Sequence, residues 1–152
     1  MKTKSLYNDQ IYTEIVERIN NLAPEIEPEW GVMDVAQMLA HCSEVLDAYT
    51  LRKPLGKISF ISRLFKGMIK KVVIGNKPYS KNTPTLPQFK IVDPRSFEYE
   101  KGRLQEAISY FREMDKKIAV SYIHPLFGKM TLEERGWAMY KHLNHHLEQF
   151  KV

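Results

Sequence analysis

Apolar residues return every three or four positions over four long stretches of this chain, a period that helices packed on one another satisfy and strands do not. The first stretch runs from about Asp9 to Leu22, with Ile11, Ile15, Val16, Ile19 and Leu22 on one face, and Pro24 and Pro28 end it. The second runs from about Asp34 to Tyr49. Asp34 is placed to cap it, and Val35, Met38, Leu39, Cys42, Val45, Leu46 and Tyr49 form its stripe. The third runs from about Ser96 to Ile118, with Leu104, Ala107, Ile108, Phe111, Met114 and Ile118 on one side. The fourth runs from Leu132 to Phe150, and Thr131 followed by Glu134 is the signature of a capping box at its start. No repeat or low-complexity run interrupts this pattern.

Residues 51–95, between the second and third patterns, are broken by Pro54, Pro78, Pro84, Pro87 and Pro94. Their middle, about Ser59 to Val73, reads as a short amphipathic helix. Ile61, Leu64, Phe65, Met68, Ile69 and Val72 alternate there with Arg63, Lys66, Lys70 and Lys71. A link this long either spans a bundle or has a task of its own. The expected fold is therefore all-α: a single domain over residues 1–152, built as a four-helix bundle with a long crossover between helices two and three.

Charge divides the chain in the same place. From Leu51 to Val92 there are ten basic residues and no Asp or Glu, whereas the whole chain is +5, so the remainder is −5. The body is mildly acidic and carries a basic insert at about 51–95. The plainest reading of the insert is a solvated lysine face on a short helix packed against the bundle. The sharper one is an interfacial helix or an anionic-ligand site. Nucleic acid is not an expected partner, because aromatics are sparse in the insert and the body is acidic. No run reaches the roughly 18 apolar residues of a membrane span, and no apolar stretch follows the first lysines as a secretory signal requires. With Cys42 the sole cysteine, a reducing, cytoplasmic setting without membrane contact is expected.

The chemistry concentrates in the fourth helix. Histidines four apart share a helical face, so His142 and His146 can hold one ion. Turning 100° per residue puts both along one edge of the apolar stripe, next to Met139, and puts His145 nearly opposite, facing water. The same operation on helix two puts His41 on the flank of its stripe, beside Met38 and Val45. Where those borders meet, His41, His142 and His146 form a three-nitrogen site with an open position, as catalytic metal sites have. The plainer alternative is a set of hydrogen-bonded histidines at a solvated boundary. His124 precedes Pro125 and is expected in a loop.

Trp30-Gly31-Val32-Met33-Asp34-Val35-Ala36-Gln37-Met38-Leu39-Ala40-His41-Cys42 resembles the second-helix segment of the DinB-like proteins. His142-x-x-x-His146 followed by Glu148-Gln149 resembles their last-helix motif, and His124 to Glu134 resembles a branch of that superfamily whose function is unassigned. The resemblance implies a bundle with two parallel neighbours joined by a long crossover. It implies a divalent metal, nickel or zinc, on a histidine triad that carries over to His41, His142 and His146. Some relatives transfer small thiols such as bacillithiol or mycothiol. The expected function is thus a metal-dependent hydrolase or thiol-dependent transferase acting on a small molecule. The alternative is a non-catalytic bundle whose insert contacts a partner or an anionic surface. A homodimer through a bundle face remains open, and no general base stands out.

Other polar residues read as structural. Cys42 is a small core residue, Asp34 and Glu134 are caps, Trp30, Trp137 and Tyr140 are packing, and Arg135 and Glu148 are surface charges. No Gly-rich phosphate loop, Cys-x-x-Cys or nucleophile elbow occurs.

Overall fold

The computed structural model describes residues 4–152; the very start of the N-terminal stretch read for a signal lies outside the described residues. The chain is predominantly helical. Its long helices are α1 (Asp9–Asn20), α2 (Val35–Tyr49), α5 (Phe97–Glu113) and α7 (Leu132–Gln149). Two short helices, α3 (Phe60–Leu64) and α4 (Lys66–Ile74), and a 3₁₀ turn at Pro87–Phe89 occupy the insert. A further short helix, α6 (Lys116–Ser121), precedes a small antiparallel hairpin, β1 (Ile123–His124) and β2 (Gly128–Lys129), with Ile123 opposite Lys129 and His124 opposite Gly128. No helix among the described residues is long and apolar enough to cross a membrane.

Three of the four long helices, α1, α2 and α7, start where a side chain satisfies free N–H groups of the first turn, whereas Ser96 at the start of α5 makes no such bond. The Asn8 side chain accepts from Ile11 N at α1. Asp34 and Gln37 form a reciprocal capping box at α2, and Thr131 and Glu134 form one at α7. The third pattern is not one helix. Asp115 accepts from Lys117 and Ile118 N and starts a new helix, so Met114 turns extended and α5 ends at Glu113. The insert pattern is likewise divided, at Phe65 (φ −95°, ψ 11°).

The core joins α1, α2, α5 and α7. Ile15 and Ile19 of α1, Met38, Leu39 and Leu46 of α2, Leu104, Ile108 and Phe111 of α5, and Leu143 and Leu147 of α7 are almost wholly buried in one cluster. Each such side chain contributes roughly 1.5–3 kcal/mol of apolar burial, so the cluster sets the positions of α2 and α7. α2 packs along α5, and α7 touches α1, α2 and α4.

Between α2 and α5 an ion network adds to the apolar packing. Glu44 accepts from Lys53 at 2.5 Å and from Arg103 at 2.6 Å, and Arg103 also reaches Asp47 at 3.2 Å and Glu100 at 3.3 Å. Burial pushes the Glu44 carboxyl up, but the bonds from Lys53 and Arg103 outweigh it and hold it below the usual range.

Arg135, read as a surface charge, is 1% exposed. Its helix face turns inward beside Gly136, and its Nη2 donates to Tyr49 O at 2.6 Å while the guanidinium lies over the Tyr49 and Phe111 rings. Glu148 is exposed, as expected of a surface charge. Cys42 is fully within the core, and burial pushes its thiol far up.

Candidate metal centre

The capping box at Asp34 fixes the start of α2, and two turns later His41 reaches the face turned toward α7. The capping box at Thr131 fixes α7, which presents His142 and His146 one turn apart. The three rings meet. Their centroids are 5.1 Å apart for His41 and His142, 4.8 Å for His41 and His146, and 4.8 Å for His142 and His146. One nitrogen from each lies within 4.8 Å of the others, and no fourth His, Cys, Asp or Glu joins them among the described residues.

Hydrogen bonds determine which nitrogen of each ring is free. His41 Nδ1 lies 2.8 Å from Phe89 O, a carbonyl that can only accept, so the proton is on Nδ1 and Nε2 keeps its lone pair. His146 Nδ1 lies 2.9 Å from Gln149 Oε1. Gln149 Nε2 donates to Trp30 O at 2.5 Å, which orients the amide so that its oxygen faces His146. His146 therefore also carries its proton on Nδ1 and leaves Nε2 bare. The Nε2 atoms of His41 and His142 are 3.1 Å apart. A proton on His142 Nε2 can bridge that gap, whereas without one two lone pairs oppose each other. The second nitrogen, His142 Nδ1, is buried without a hydrogen-bond partner.

Electrostatics keep these rings neutral. Burial lowers the pKa of all three; neighbouring imidazoles add to it, taking His142 well below its ordinary value and His146 to about 3. Neutral imidazole is the form that coordinates. Nitrogens about 2.1 Å from a tetrahedral ion stand roughly 3.4 Å apart, close to the separation of the His41 and His142 Nε2 atoms. Three neutral nitrogens, two of them oriented by carbonyl partners, fit a divalent metal.

His145 differs from its expected place. It is partly covered, because Trp30 and Tyr79 each approach its ring at 5.6 Å and His146 at 5.2 Å. It borders a cavity of about 90 Å³ shared with Tyr79, Trp137, Tyr140 and Lys141 on the outer side of α7. A larger cavity of about 430 Å³, between the end of α2 and the end of α5, contains no histidine. His124 is not in an open loop but in β1, 3% exposed, stacked on Phe127 at 4.3 Å.

Two supports of the centre escaped the sequence reading. Phe89 lies 48 residues from His41 in the insert and acts through its carbonyl, which no residue type announces. Gln149 stands three residues after His146, a spacing that could have marked it as a partner across one helical turn. The insert is also fastened to α7: Trp137 Nε1 donates to Gly75 O at 3.2 Å, and Lys141 Nζ donates to Val72 O and Gly75 O at 2.6 and 3.0 Å.

Comparison of the chain with protein-family models, curated proteins and solved structures finds no match. Fold and site together define a helical protein with a histidine cluster suited to a metal.

Proposed function

We propose that this chain is a DinB-like four-helix bundle that binds a divalent metal, nickel or zinc, through His41, His142 and His146, and acts as a metal-dependent hydrolase or thiol-dependent transferase on a small molecule. The observation that carries the reading is the meeting of three neutral imidazoles from α2 and α7 with no fourth protein ligand among the described residues. A three-ligand set leaves a position for water or substrate, which a structural site would close. When bound, the ion supplies a Lewis acid that lowers the pKa of a water or thiol at that position.

The chain's own residues prepare the centre. Phe89 O holds the His41 proton on Nδ1, and Gln149 Oε1 does the same for His146, so both rings keep Nε2 for the ion. Burial under the α2–α7 contact keeps the rings unprotonated at neutral pH. The resemblance of the Trp30–Cys42 segment and of the last-helix motif supports the bundle and the small-thiol class.

Elemental analysis of purified protein beside His142→Ala tests the metal. One equivalent of nickel or zinc in the wild type and its loss in the variant are expected, and equal metal content in both overturns the reading. Metal bound by the wild type without turnover of any thiol or hydrolysable substrate would assign a structural role instead.

A further inference from the structure

The apolar stripe of the insert does not face the core. Phe60, Ile61, Leu64, Phe65, Met68 and Val72 are between 47% and 78% exposed. Ile61, Leu64, Phe65, Met68 and Val72 recur at helical spacing, so they share a direction although α3 and α4 are separate helices. That direction is imposed by the opposite side of α4. Val73 and Ile74 pack against the core, Lys70 reaches Lys129 O at 2.5 Å, and the carbonyls of Val72 and Gly75 accept from Lys141. An amphipathic helix ordinarily buries its apolar face; here the body grips the other one.

Exposed cations alternate with the stripe along the chain. Lys57, Arg63, Lys66 and Lys71 are exposed and make no ion pair among the described residues, whereas Arg52, Lys53 and Lys70 are paired to carboxylates. No Asp or Glu occurs from Leu51 to Val92 to oppose them. An occupant must therefore accept apolar side chains and also be negative. A second copy of this face brings cation against cation. Nucleic acid satisfies the lysines and leaves Ile61, Leu64 and Met68 in water. The headgroup region of an anionic bilayer meets both demands, with apolar side chains at the acyl boundary and lysines at the phosphates.

We propose that the outward stripe of α3 and α4, with Lys57, Arg63, Lys66 and Lys71, docks this protein on an anionic membrane surface. This rests on the insert and not on the histidine centre.

Flotation of purified full-length protein with phosphatidylcholine vesicles, with and without phosphatidylglycerol, tests it. Binding is expected only to the anionic vesicles. It should weaken as added salt shortens the Debye length toward about 3 Å. Lys66→Gln with Lys71→Gln should lower the partition by roughly 25-fold, at about fivefold per basic residue. Leu64→Ser with Met68→Ser, which leaves the charge intact, should lower it by roughly tenfold or more. All four side chains are exposed, so an unchanged circular dichroism spectrum and Tm are expected of both variants. Absence of wild-type binding to anionic vesicles overturns the proposal, as does binding that Leu64→Ser with Met68→Ser leaves unchanged. A wild-type dimer that this variant converts to a monomer in sedimentation would assign the stripe to a second copy and overturn it equally.

Discussion

Gln149 Oε1 stands 2.9 Å from His146 Nδ1 while the same amide donates to Trp30 O, so one side chain ties the His146 ring of α7 to the segment that leads into α2. Gly31, beside Trp30, has φ +85°, and a Cβ there would stand 2.7 Å from Gln149 Nε2, so the close approach depends on glycine. Partners that fix a metal-binding imidazole typically account for about 10–100-fold in affinity. Gln149→Leu should weaken metal binding by that order in a chelator competition. Gln149→Glu keeps an acceptor for His146 but loses the donor to Trp30 O, so it should retain affinity while lowering Tm. Equal affinity in the wild type and Gln149→Leu would show that the amide does not prepare the ring.

The parts of the fold that were legible in the sequence are those set by local period and local capping. The stripes of α1, α2 and α7 and the Thr131–Glu134 box lie within single helices, and so do the edges that carry His41, His142 and His146. What was hidden depends on partners far along the chain. Arg135 looks like any helical arginine until the Tyr49 carbonyl and two rings enclose it. His145 sits opposite the stripe of its own helix, yet Trp30 and Tyr79 arrive from elsewhere to cover it. The insert shows the limit of periodicity most sharply. The 3.6-residue pattern locates an apolar face, but only the grip of Lys141 and Trp137 on Gly75 decides which way that face points.

His124 makes the fold sensitive to acid. Its Nδ1 faces the N–H groups of Leu126 and Phe127 at 3.2 and 3.3 Å, so the neutral ring accepts there. Burial, aided by the Arg135 charge, lowers its pKa to about 3. Below the ordinary value near 6.5 the unfolded chain takes up a proton that the native ring refuses. The stability associated with this residue is therefore full above about pH 6.5 and is lost as pH falls from there toward about 3. Between pH 7 and pH 5 the loss should be about 2 kcal/mol. His124→Asn retains an acceptor near the Nδ1 position and cannot titrate, so its urea midpoint should fall less over that interval. Identical slopes for the two proteins would show that this ring is not the sensor.

Arg103 is the shared cation of three carboxylates, Glu44, Asp47 and Glu100, all buried at the α2–α5 contact. Removing Arg103 leaves Glu44, Asp47 and Glu100 desolvated, with only the more exposed Lys53, Arg52 and Arg95 to offset them. Arg103→Ala should cost about 3 kcal/mol in denaturant unfolding at neutral pH. Arg103→Lys keeps the charge but not the forked geometry, so it should recover only part of that loss. A cost under about 1 kcal/mol would place the network with solvated surface pairs.

Two helical glycines should respond oppositely to one substitution. Replacing glycine by alanine inside a helix ordinarily gains about 1 kcal/mol, since alanine restricts the unfolded chain and suits the helix. At Gly102 in α5 no atom lies within 4 Å of an added Cβ, so Gly102→Ala should realise most of that gain. At Gly136 in α7 a Cβ would stand 2.0 Å from Ser5 Oγ and 2.9 Å from Tyr7 Cδ2. Leu6 N donates to Gly136 O at 3.1 Å, and Leu6 is fully buried, so this segment cannot withdraw without exposing core. Overpacking of this kind costs about 1–3 kcal/mol, which exceeds the propensity gain. Thermal unfolding should therefore show Tm raised by Gly102→Ala and lowered by Gly136→Ala. A rise in both would mean that residues 5–7 yield freely and do not fasten the start of the chain to α7.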